Sequence, residues 1–103
     1  DNNYPTAHNN LGKIFLVYGE IDSSIKHLEC AITLKSDFAD AHNNLGSAFL
    51  RINKLNDAIK SYKKAIALKP DFAVANNNLG IAYLRTGDPK LASKFFENAI
   101  TIT

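Results

Sequence analysis

The chain has little that could carry chemistry by itself. A single cysteine, Cys30, among 103 residues excludes an internal disulfide. It fits a reducing compartment, and a cytoplasmic location is the expectation. Excess charge of one sign is scarce too. Twelve basic residues face ten acidic ones, a net charge of +2, too small to imply a nucleic-acid partner. No apolar run approaches the ~20 residues of a membrane span, and no signal-peptide pattern opens the chain. No serine sits in a nucleophile elbow, no glycine loop is built for phosphate, and no His-Asp-Ser arrangement stands out. No segment keeps up the alternation of a β-strand. These absences point away from an enzyme, a cofactor, a membrane and nucleic acid. What remains is an ordinary globular composition, 46% hydrophobic and 21% charged, which argues against bulk disorder.

What is present is repetition. The tetrapeptide Asn-Asn-Leu-Gly occurs at Asn9–Gly12, Asn43–Gly46 and Asn77–Gly80, a fixed step of 34 residues. The same step aligns Tyr4 with Phe38 and Phe72, Ala7 with Ala41 and Ala75, and Phe15 with Phe49 and Tyr83. It also aligns Ala31 with Ala65 and Ala99. Each copy reads as two helices. In the second copy Ala41, Leu45, Ala48, Phe49 and Ile52 recur at helical spacing. Asn53 then interrupts, where the other copies hold Gly19 and Gly87, residues suited to a left-handed helix end. A second apolar series runs from Leu55 to Leu68 and stops at Pro70. Asp88-Pro89 is a helix start, with Asp as cap and Pro in the first turn, and Pro5 starts the first helix similarly.

This pattern resembles the tetratricopeptide repeat (TPR), whose period is about 34 residues. Copy two carries it in Leu45-Gly46, Phe49, Ala58, Tyr62, Ala65 and Pro70. Copy three carries it in Leu79-Gly80, Tyr83, Ala92, Phe96 and Ala99. Copy one departs mildly, with Ser24, Leu28 and Ser36 at the small, aromatic and proline places. The position often held by Trp in the family holds His8, His42 and Asn76. The resemblance implies an all-α, right-handed solenoid of about three helix-turn-helix units. The units are 5–38, 39–72 and 73–103, the last incomplete, within one array over 1–103 and without a C-terminal capping helix. Gly12, Gly46 and Gly80 fall mid-helix, opposite the small residues Ser24, Ala58 and Ala92. Small residues on both sides would let the two helix axes approach closely.

In such solenoids the first helices line a concave binding groove, as the resemblance implies. The stripe opposite the apolar face of each first helix gives the candidate peptide-binding residues: Asn9, Asn10, Lys13, Asn43, Asn44, Ser47, Arg51, Asn77, Asn78 and Arg85. Asp40 and Val74 share it. Asparagine offers two donors and an acceptor on a short neutral chain, so a row of them can pair with the backbone of an extended peptide. The second member of each pair, Asn10, Asn44 and Asn78, is similar to the asparagine row in the repeat arm of protein O-linked N-acetylglucosaminyltransferases, where it holds the substrate backbone. Lys13, Arg51 and Arg85 against Asp40 favour an acidic partner. A solvated polar face is the plain alternative. The two-carboxylate clamp of chaperone-binding TPRs falls on Asn9, Lys13, Asn44, Val74 and Asn78, and only Asn44 fits it.

Other features carry less. His8 and His42 hold equivalent places one repeat apart, but two histidines do not make a zinc site. His27 is a weak neighbour for Cys30 on the same helix turn. Lys60, Lys63, Lys64 and Lys69 read as a solvated face of the second helix. The chain reads as a piece of a longer array whose ends, including Phe96 and Ile100, could associate with another molecule. Three functions are therefore expected: a peptide-binding module, a segment self-associating through its repeat ends, or the recognition arm of a glycosyl- or sulfotransferase.

Overall fold

The computed structural model describes residues 4–102. Six α-helices follow one another: α1 Tyr4–Val17, α2 Ile21–Leu34, α3 Ala39–Arg51, α4 Leu55–Leu68, α5 Ala73–Arg85 and α6 Pro89–Thr101. No strand occurs among the described residues. The helices pair as α1 with α2, α3 with α4 and α5 with α6, and the pairs stack in order along an array 41 Å long. Asp1, Asn2, Asn3 and Thr103 lie outside the described residues.

The turn inside each pair follows from one backbone requirement. Gly19, Asn53 and Gly87 have φ of 81°, 60° and 84°. This left-handed residue lets the last carbonyls of the first helix find donors. Glu20 N–H reaches Phe15 O at 2.8 Å, and Gly19 N–H reaches Leu16 O at 3.1 Å. The same two bonds recur around Asn53 and Gly87, so one Schellman motif ends all three first helices. Downstream, Asp88 accepts a 3.2 Å bond from Leu91 N–H and caps α6, as its sequence signature predicts.

The mid-helix glycines make room, but chiefly for large side chains rather than small ones. A Cβ on Gly12 would lie 2.5 Å from Leu28 Cγ, one on Gly46 would lie 2.7 Å from the Tyr62 ring, and one on Gly80 would lie 2.7 Å from the Phe96 ring. The sequence places Ser24, Ala58 and Ala92 opposite the glycines, and the atoms nearest to an added Cβ belong to larger neighbours of theirs. The bulky residue one helical turn further on fills the space. Small residues help in a second way: Ser24 Oγ donates a 2.7 Å bond to Gly12 O, which requires the two backbones to be close. The helix-propensity loss at each glycine, about 1 kcal/mol, is offset by burying a Leu, Tyr or Phe.

The core is continuous through the stack. Leu28, Leu45 and Ala48 form one cluster with Leu16 and Phe49 packed against it. Ala58, Tyr62, Leu79, Ala82, Tyr83 and Ala92 form the next, and Phe49 touches both. The linkers share a further device. Lys35 Nζ lies 5.0 Å from the Phe38 ring centroid and Lys69 Nζ 4.8 Å from that of Phe72. Each lysine thereby covers an aromatic between two pairs.

Candidate functional site

The first helices stand side by side on one face, α1 against α3 and α3 against α5, while the backbones of α2, α4 and α6 stay further apart. The array therefore curves toward the α1–α3–α5 face. A groove of about 430 Å³ opens there, lined by Asn9, Asn10, Lys13, Asp40, Asn43 and Asn44, with Phe72 and Val74 closing one end. Half of the residues singled out in the sequence thus come together: Asn9, Asn10, Lys13, Asn43 and Asn44. Ser47, Arg51, Asn78 and Arg85 do not line this cavity, and Asn77 lines a different one at the far end of the array. Phe72 was not among the sequence candidates. Its signal is the 34-residue aromatic step Tyr4, Phe38, Phe72 at the entry to each first helix.

The six asparagines are not equivalent. Asn44 Nδ2 donates to Asn9 Oδ1 at 2.9 Å, and Asn78 Nδ2 donates to Asn43 Oδ1 at 3.2 Å. Asn9 and Asn43 are 5% and 7% exposed. Each junction between helix pairs is thus tied by an amide-amide bond from the second Asn of one repeat to the first Asn of the repeat before. The sequence expectation had every asparagine offered to a ligand. Instead Asn9 and Asn43 are buried and each already accepts a bond, while Asn10 and Asn77 are exposed.

The basic stripe is partly committed in the same way. Arg51 Nη1 donates to Leu16 O and Arg85 Nη1 to Leu50 O, both at 3.1 Å. Each guanidinium thus sits on a C-terminal carbonyl of the preceding repeat's first helix, where the helix dipole favours a cation. Lys13 is exposed and, among the described residues, is the one basic side chain lining the groove, which Asp40 also lines. Ser47 is also engaged: its Oγ lies 2.9 Å from the Tyr62 hydroxyl. Burial pushes the Tyr62 phenol above its usual range, an effect opposed by the Ser47 hydrogen bond and by the positive charge of Arg85.

The histidines of the first two repeats find different partners. His42 is buried and its Nε2 lies 3.0 Å from Ser36 O. His8 instead meets His27, Nδ1 to Nδ1 at 3.0 Å. Among the described residues no three His, Cys, Asp or Glu side chains converge to hold a metal ion. No described helix is long and apolar enough to cross a membrane.

With the 34-residue step realised as three stacked helix pairs, comparison with known proteins settles the family. The TPR repeat model matches residues 18–53 and 46–87, and the tetratricopeptide repeat model matches residues 73–103. The chain belongs to the tetratricopeptide repeat family. Two crystal structures of MamA are similar to this TPR chain at 31% identity, with TM-scores of 0.91 and 0.89. They are matched over 99% of this chain, which spans only 60% and 56% of theirs. The second TPR of Spaghetti (RPAP3), solved bound to the HSP90 peptide SRMEEVD, shares the fold at a TM-score of 0.93 and 23% identity. That match covers 97% of this chain and 93% of the other. No curated protein matches the sequence.

Proposed function

We propose that this TPR array is a protein-interaction module that holds an extended peptide in the groove between α1 and α3. The observation that carries the reading is the groove itself. Its walls are amides, its near end holds an exposed Lys13 and Asn10, and its far end is apolar with Phe72 and Val74. Asn10 can meet a peptide N–H and C=O with one side chain. Lys13 can meet a carboxylate on the ligand and Asp40 an N–H or cationic group, and an apolar side chain fits against Phe72 and Val74. The Spaghetti domain bound to an HSP90 peptide is a case of the same fold holding a peptide. The chaperone tail itself is not the ligand proposed, because only Asn44 fits the clamp and its amide is turned to Asn9.

The test follows from which side chains are uncommitted. Substituting Asn44 or Asn78 would break a junction bond, so the informative variant is Asn10→Ala with Lys13→Ala. A peptide array probed with wild type should give extended binders that the double variant holds at least about tenfold more weakly, with an unchanged circular dichroism melt. Equal affinity for the two proteins would sink the reading.

A second reading has its own observation. Ala73, Asn77, Phe96 and Ala99 line a cavity of about 740 Å³ beside α5 and α6. One repeat earlier, Ala39, Asn43, Tyr62 and Ala65 hold those places, in the helix pair on which α5 stacks. A helix of this pattern from a second copy suits that seat. Sedimentation velocity would show association that rises with concentration and is weakened by Ala99→Glu; a strict monomer at several hundred micromolar would exclude it.

A further inference from the structure

The contact between His8 and His27 has no counterpart in the other repeats. The equivalent places hold His42 and Ser61 in repeat two and Asn76 and Phe95 in repeat three. There the first-helix residue turns to the linker instead: His42 faces Ser36 O, and Asn76 Nδ2 donates to Phe72 O at 2.9 Å. Only in repeat one does the side chain cross to the partner helix. The ring centroids of His8 and His27 are 5.2 Å apart and their Nδ1 atoms 3.0 Å apart, so the two nitrogens lie between the rings, nearly in line with both. This is the geometry of an N–H···N hydrogen bond, in which one ring donates Nδ1–H to the lone pair of the other.

Such a bond counts protons. With both rings neutral it forms if one ring carries its proton on Nδ1. With one ring protonated it forms more strongly, as a charge-assisted bond. With both protonated no lone pair remains at either Nδ1, and two cations face each other at contact distance. Phe15 lies over His27 with centroids 5.5 Å apart and an interplanar angle of 15°, a surface that tolerates the first positive charge. The titratable surroundings are few. Lys26, Glu29 and Cys30 of α2 line the surface cavity that His8 borders, and no other α1 side chain lines it. From α3, His42 lines the adjoining cavity beyond Glu29.

We propose that the His8–His27 pair is a proton-controlled latch that fastens α1 to α2 near neutral pH and loosens it when both rings are protonated. Because the bond survives the first proton and not the second, the hold on α1 is lost only at the acid end of the range in which imidazoles titrate, roughly pH 8 to 5. Because α1 carries Asn9, the acceptor for Asn44, acid would also slacken the first junction of the array.

Amide hydrogen exchange of the full chain, expressed as protection relative to the intrinsic rate at each pH, tests this directly. Wild type should lose about tenfold more protection in α1 than in α5 between pH 7.5 and pH 5. His8→Asn, which places in repeat one the residue that repeat three uses, should abolish the difference. His27→Ser, the repeat-two residue, is the second variant should the first fail to fold. Nitrogen-15 spectra at pH 7.5 should show an Nδ1–H tautomer on one of the two rings. Equal losses in α1 and α5, the same excess loss in the folded variant, or two Nε2–H tautomers would each overturn the proposal.

Discussion

The outer repeats and the middle one are built from nearly the same residues yet hold them differently. Leu11, Leu45 and Leu79 share one register position and are 39%, 8% and 0% exposed. Asn9 and Asn43 are buried while Asn77 is exposed. The leucine is buried where a helix pair precedes it in the array, and the first asparagine where a pair follows. Burial here is a property of place in the stack rather than of the residue. Identical substitutions should therefore differ in effect from repeat to repeat.

The largest effect is expected where packing is tightest. Gly46→Leu drives a side chain into the Tyr62 ring in the middle of the stack and should cost about 3 kcal/mol or more, read as a collapse of the melting temperature. Gly87→Ala meets nothing within 4 Å and should lose only about 1–2 kcal/mol, the cost of a left-handed Ala. Next comes the leucine pair. Leu79→Ala should lose about 2–5 kcal/mol in urea unfolding, whereas Leu11→Ala should lose under about 1. Equal losses would break the comparison. The asparagines sharpen it further: Asn43→Ala leaves the Asn78 amide without its acceptor and should cost about 1–3 kcal/mol, against at most about 0.5 for Asn77→Ala.

The smallest expected effect is electrostatic. Tyr62 keeps its proton in the fold at a pH where a solvated phenol, near pH 10, has lost it. Its contribution to stability is fully present below that value and is lost as pH rises through the higher value of the folded state. An ultraviolet phenolate titration should show a step later than that of a solvated phenol, accompanied by unfolding, which Tyr62→Phe removes. The absence of a late step that depends on Tyr62 would contradict the burial.

The fold was legible because its causes are local and recur. The 34-residue step is readable by aligning the chain with itself, the Gly19, Asn53 and Gly87 helix ends and the Asp88 cap from adjacent residues, and each is realised in the structure. The site was legible only in part. Helical spacing places Asn9, Asn10, Lys13, Asn43 and Asn44 on one face, and the structure gathers them around one groove. Spacing along a helix does not reveal that Asn44 reaches Asn9, because that bond joins residues 35 apart across a junction. The same blindness to cross-helix partners hid the pairing of His8 with His27, and it made Arg51 look like a free cation when it braces Leu16 O.

The amide relay has a consequence for how the molecule can be rebuilt. Every junction bond runs from donor to acceptor in the same sense, from the later repeat to the earlier one. The array thus has a polarity, like a train with hooks at one end of each carriage and eyes at the other. Duplicating the block 39–72 in tandem gives each new boundary its matching hook and eye, so the lengthened array should fold and gain stability. Swapping the order of α3 and α4 within a block keeps the composition but turns the couplings away from each other.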